Sequence, residues 1–150
     1  MLVKTYCAAV NGLHVTTVTI EVNLNRGVMY HLTGLGDSAV KEGKDRIAAA
    51  MQNNGYRFPV AGLTINMAPA NLRKEGSSFD LPLAIAILTA AGSIKTDLLD
   101  QYMKVGKLSL EKGECLGVIF KHCKTDLRRP RRVVNVGHIE KGALFGHRHI

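Results

Sequence analysis

A chain of 150 residues has room for one domain with one ordinary core. Its 46% hydrophobic and 21% charged residues exclude a disordered chain, and its longest apolar run, Leu81 to Ile94, is too short to cross a bilayer. The net charge of +8 is unevenly spread, because residues 1–120 hold 12 Lys/Arg and 10 Asp/Glu while residues 121–150 hold 8 and 2.

In chain order, Val3 to Val10 reads as a first strand, closed by the turn signal Asn11-Gly12. Val18, Ile20, Val22 and Leu24 then alternate with polar residues, which predicts a strand with one buried face. Arg26-Gly27 leads into a third strand, Val28 to Thr33, and these strands read as antiparallel hairpins. Val40, Gly43, Ile47, Ala50 and Met51 share one helical stripe, with Asp37 placed to cap its start and Asn53-Asn54-Gly55 its end. Leu63 to Met67 predicts a short strand. After a polar loop, Asp80 is expected to cap a second helix, Leu81 to about Ala91, with Pro82 in its first turn. That helix is apolar nearly all round and is expected to be buried. Tyr102 to Leu110 predicts another strand, and Val118 to Phe120 suits a short one. Beyond Lys121 no period persists.

Known chemical motifs are scarce. Gly34-Leu35-Gly36-Asp37-Ser38-Ala39 has the spacing of a phosphate-holding turn, but no acidic residue follows at the distance a dinucleotide site requires. The reading adopted is a tight strand-to-helix turn. No GxxxxGK[ST] loop occurs, so no nucleotide cradle is expected. Cys7, Cys115 and Cys123 form no CxxC pair; with His122 they lack zinc-site spacing and fit free thiols in a reducing, cytoplasmic setting. No secretory signal opens the chain. Arg128, Arg129, Arg131 and Arg132 could neutralise nucleic-acid phosphates, which makes a small DNA-binding protein acting through its tail one alternative.

The most informative stretch is Asn66-Met67-Ala68-Pro69-Ala70, followed by Lys74-Glu75-Gly76-Ser77 and by Asp80-Leu81-Pro82 with Ala84. Together with Gly34 to Asp37 and Ala39-Val40-Lys41-Glu42, it resembles the amino-terminal domain of magnesium-chelatase-like AAA+ ATPases of the ComM/YifB type. The resemblance runs from about Val3 to Leu110. Gly36 departs from it where Pro is usual, Asn71 where an acid is common, and Lys107 where Glu is usual.

The resemblance implies an α+β fold, a Lon protease-domain-like mixed sheet with helices on one side, similar to the second domain of ribosomal protein S-five. It implies a parent whose ATPase ring uses ATP and Mg in DNA recombination or transformation. This chain is then an accessory domain, spanning residues 1–112, with no enzyme activity, cofactor or metal of its own. It is followed by a basic tail, 113–150, read as truncated, frameshifted or poorly ordered from about residue 111. DNA and self-association are the expected partners; neither a membrane nor a small-molecule substrate is. The Lon-like comparison also nominates Ser78 as a serine nucleophile that a lysine would activate. Lys74 and Glu75 are expected at the surface.

Overall fold

The computed structural model describes residues 1–34, 37–95, 99–108, 110, 115–121 and 133–136, the last two segments by their backbone. Among the described residues, seven strands form one sheet: β1 (Leu2–Asn11), β2 (His14–Asn25), β3 (Tyr30–Thr33), β4 (Gly62–Ala68), β5 (Tyr102–Leu108), β6 (Cys115–Lys121) and β7 (Val133–Val136). Two helices accompany them, α1 (Ser38–Asn53) and α2 (Asp80–Ala90). The sheet order is β3-β4-β2-β1-β5-β6-β7. The fold is α+β, as expected.

β1 and β2 form the hairpin that Asn11-Gly12 predicts, with Asn11 opposite His14. The expected hairpin between β2 and the third strand does not form. β4 inserts between them, antiparallel to β2 and parallel to β3. Consequently β3, α1 and β4 make a parallel crossover in place of the antiparallel hairpin that the sequence predicts. The strand also begins at Tyr30, two residues later than expected, leaving Val28 and Met29 exposed beside it. On the other side, β1 pairs in parallel with β5 at Tyr6 and Met103. The ladder then passes antiparallel through β6 to β7, so the sheet continues beyond residue 112. Val118 to Phe120 lie within β6.

Strand alternation makes the sheet one-sided. Val3 aligns with Val22 and Ile65, and Cys7 with Val18, on a face whose side chains are almost wholly buried. The next residues along carry a polar row: Lys4 pairs with Glu21 at 3.5 Å, Asn66 donates to Glu21 at 3.1 Å, and Thr33 donates to Asn66 at 3.2 Å. All eleven residues of α2 are buried, as its apolar circumference requires. It packs on β1, β2 and β5, with α1 against it through the predicted stripe Val40, Gly43, Ile47, Ala50 and Met51. Each fully buried Leu or Ile in this layer contributes about 1.5–3 kcal/mol.

The turn at Gly34 fixes how closely β3 meets β4. Its φ is +100°, and a Cβ there would lie 2.0 Å from the Met67 carbonyl oxygen. Gly12 also has a positive φ, +60°, but faces open space. Gly12→Ala is therefore expected to cost about 1 kcal/mol from backbone strain alone. Gly34→Ala should cost about 3 kcal/mol or more, because backbone must move. Urea unfolding of both variants at one pH checks the difference.

Candidate functional site

The segments that carry the resemblance are distant in sequence and meet in one place. Lys74, expected at the surface, is fully buried. Its Nζ donates to the Gly34 carbonyl at 2.5 Å and to the Pro69 carbonyl. One cation thus ties the β3–α1 turn to the loop after β4, where the Ala68–Pro69 peptide is cis. Burial pushes the Lys74 amine below its usual range, opposed by the nearby Cys7 thiol.

Asp37 closes the same junction from the other side. Its carboxylate accepts from the Val40 amide at 2.8 Å, which is the expected helix cap, and from the Gly76 amide at 3.2 Å. Its own amide donates to the Lys74 carbonyl at 3.1 Å. Asn66 belongs to the polar row of the open face. Glu75 pairs with Arg73 at 2.8 Å, both well exposed, a contact that contributes little to stability.

Asp80 does not cap α2, as the sequence suggested. A one-turn 3-10 helix, Ser77–Phe79, precedes α2, and Phe79 occupies the cap position without a side-chain bond. Asp80 sits in the first turn, where the helix dipole favours a negative charge. Its buried carboxylate receives a forked pair of bonds from Arg46, 2.8 Å from Nε and 3.1 Å from Nη2. Arg46 also donates to the Ala39 carbonyl at 2.7 Å. The approach of α1 to α2 needs Gly43, since a Cβ there would lie 2.8 Å from Asp80 Oδ1. Pro82 lies in the first turn of α2, where its missing N–H leaves nothing unsatisfied.

Ser77 and Ser78 are half-buried in that 3-10 turn. Among the described residues, neither hydroxyl is hydrogen-bonded to a base. Lys74, four residues before Ser78, commits its amine to two carbonyls. Arg128, Arg129, Arg131, Arg132, His122 and Cys123 lie outside the described residues, and nothing is described of the Cys115 side chain. No group of three His, Cys, Asp or Glu side chains able to hold a metal ion occurs among the described residues. No helix among them is long and apolar enough to cross a membrane.

A second buried lysine went unnoticed in the sequence. Lys104 on β5 is fully buried, and its Nζ bonds Thr5 Oγ1 at 2.9 Å, the Leu99 carbonyl at 2.5 Å and the Tyr102 carbonyl at 2.8 Å. Burial pulls this amine down to about 7, against the pull of Asp100 and Cys7. Cys7 is pushed up to about 12 by its own burial, although Lys74 and Lys104 both act to lower it. It therefore stays a protonated, inert thiol. Tyr30 is pushed up to about 12 by burial and by Asp80, and its buried hydroxyl has no described partner.

Two expectations follow. Arg46→Met leaves the buried Asp80 carboxylate unpaired and should cost about 3 kcal/mol, with part of the loss recovered by adding Asp80→Asn. The second concerns pH. An unfolded lysine titrates near 10.4, so between about pH 7 and pH 10 the unfolded chain binds more protons than the folded one, and stability rises with pH. Cys7 and Tyr30 act oppositely once their unfolded forms ionise, above about pH 8.5 and pH 10 respectively. Stability should thus climb by about 1–2 kcal/mol from pH 7 to about pH 8.5 and fall beyond pH 10. Lys104→Met should flatten the climb; urea titrations across this range check both.

A match to a known family covers this same region. Residues 20–118 match the family model described as subunit ChlI of Mg-chelatase, running past Leu110 into β6. YifB of Escherichia coli is 42% identical over 100 residues, 66% of this chain and 20% of that protein. Competence protein ComM of Haemophilus influenzae is 41% identical over 114 residues, 75% of this chain and 22% of ComM. An uncharacterized protein of Mycobacterium tuberculosis is 39% identical over 109 residues, 72% of this chain and 22% of its own length. The chain thus spans about a fifth of the length of the curated relatives it matches. With the model covering all the signature segments from Gly34 to Ala84, the chain belongs to the Mg-chelatase ChlI family.

Proposed function

We propose that this chain acts as the amino-terminal accessory domain of a ComM/YifB-type ATPase and turns over neither ATP nor peptide itself. The observation that carries this reading is how the signature residues use their polar groups. Lys74 holds two carbonyls, Asp37 two amides, and Asp80 one guanidinium. Lys74 and Asp37 are thus occupied in shaping the loop and Asp80 in holding α1 to α2. The Lys74 amine is directed at two carbonyls and not at the Ser78 hydroxyl, which weighs against a serine–lysine peptidase. The motif in this reading is a device for holding form, within the Lon-like arrangement that the family resemblance suggests.

ATP and Mg then belong to a ring-forming ATPase module, and work on DNA belongs to that whole assembly. The name of competence protein ComM supports a role in transformation for the parent. The domain would supply a rigid platform whose loop, Arg73 to Ser78, is set by the ties beneath it.

A domain exchange tests this. Residues 1–118 of this chain replace the matching segment in ComM of Haemophilus influenzae, and transformation frequency and ATP turnover are measured. The chimera should retain at least a tenth of both activities, while the same chimera carrying Arg46→Met should lose transformation and keep ATP turnover. The 150-residue chain alone should show no ATP hydrolysis above background. Turnover by the chain alone, or equal transformation with and without Arg46→Met, would contradict the proposal.

A further inference from the structure

A groove that the signature cluster does not use lies where β3 and β4 begin. β3 is the terminal strand of the sheet and, among the described residues, pairs only with β4, so alternate N–H and C=O groups on its other side face outward. Tyr30, Phe58, Pro59 and Leu63 line the groove, with Lys44 on one wall and Val28 and Val60 at its mouth. Val28 is 79% exposed and Val60 94%, while neighbouring Met29 is 65% exposed. Aliphatic side chains left in water around one depression mark a contact surface. The volume, about 240 Å³, lies below the roughly 300–1,000 Å³ of sites that enclose a small molecule. It suits one or two aliphatic side chains.

Lys44 is the charged residue of the described lining. The Lys44 Nζ lies 5.3 Å from the centre of the Tyr30 ring. Arg57 immediately precedes Phe58, and the Arg26 carbonyl lies 3.2 Å from where a Gly62 Cβ would stand. Arg26, Lys44 and Arg57 form no ion pair among the described residues. Among the described residues, no acidic side chain lines the groove.

We propose that the β3 edge and this groove together bind an extended peptide segment, apolar at its centre and acidic at its ends. The segment would add as a further strand beside β3, drawing backbone hydrogen bonds from the free edge. Its central side chains enter the groove over Tyr30 and Leu63, and its carboxylates neutralise Lys44. A purely apolar segment would leave Lys44 unmatched, and a purely acidic one would leave Val28 and Val60 in water.

The probe is a fluorescein-labelled peptide of three valines flanked by two glutamates at each end. Its anisotropy is followed as the full 150-residue chain is added. Saturable binding is expected, weakened at least tenfold by Val60→Asp and by Lys44→Glu, each checked for an unchanged melting temperature. Leu13→Asp, at a fully exposed residue in the β1–β2 turn, should leave binding intact. Three results would overturn the proposal: no saturable binding, equal binding of a lysine-flanked peptide, or indifference to Val60→Asp. Sedimentation of the free chain covers the remaining occupant. A dimer that Val60→Asp dissolves, without peptide binding, would assign the edge to a second copy and overturn the proposal too.

Discussion

A lysine ammonium buried beneath a loop is the constraint on which the arrangement around α1 and α2 depends. Taking a cation out of water is costly unless its donors are met, and a lone buried charge tends to neutralise or expel itself. Lys74 resolves this with the carbonyls of Gly34 and Pro69, which come from opposite ends of the β3–α1–β4 crossover. The bond therefore forms only when turn and loop are both in place. Asp37 reinforces it by capping α1 and holding the Gly76 amide in the same contact. The loop's shape and the helix's start become one decision.

The one-sided sheet explains why such ties are needed. α2 is buried on every side and contributes no polar surface, so it cannot be oriented by hydrogen bonds along its length. Orientation comes from its first turn, where Asp80 meets Arg46 from α1 across the gap that Gly43 leaves. Apolar packing supplies the larger share of the stabilising energy. The few buried charges supply direction, because each has partners at only one position. The second buried lysine, Lys104, does the same at the other end, joining β5 to Thr5 of β1 and to the Leu99 carbonyl.

Much of this was legible in the sequence wherever the relevant spacing was local. The stripe from Val40 to Met51 was read directly from a helical period, and the β1–β2 hairpin from alternation around Asn11-Gly12. Strand order was not. Alternation says which face of β3 is buried but not which strand lies beside it, and β4 takes the place beside β2 from more than thirty residues away. Asp80 precedes a helix as a cap would, and its real partner is Arg46, which only tertiary packing brings near. Lys74 sits in a polar run that reads as solvent-facing; its burial depends on carbonyls of Gly34 and Pro69 that no local pattern records. The family motif marked these residues as belonging together without saying that they hold one another.

Hydrogen exchange on Lys74→Met, compared with the unaltered chain, tests the central claim most directly. The substitution keeps the bulk of the side chain and removes its donors. If Lys74 ties turn to loop, protection should fall at the Asp37, Val40 and Gly76 amides by at least tenfold, while the β1–β2 ladder from Val3 to Val22 keeps its protection. Unchanged exchange at those three amides would contradict the account. So would an equal loss across the hairpin, which would make Lys74 one more contributor to overall stability.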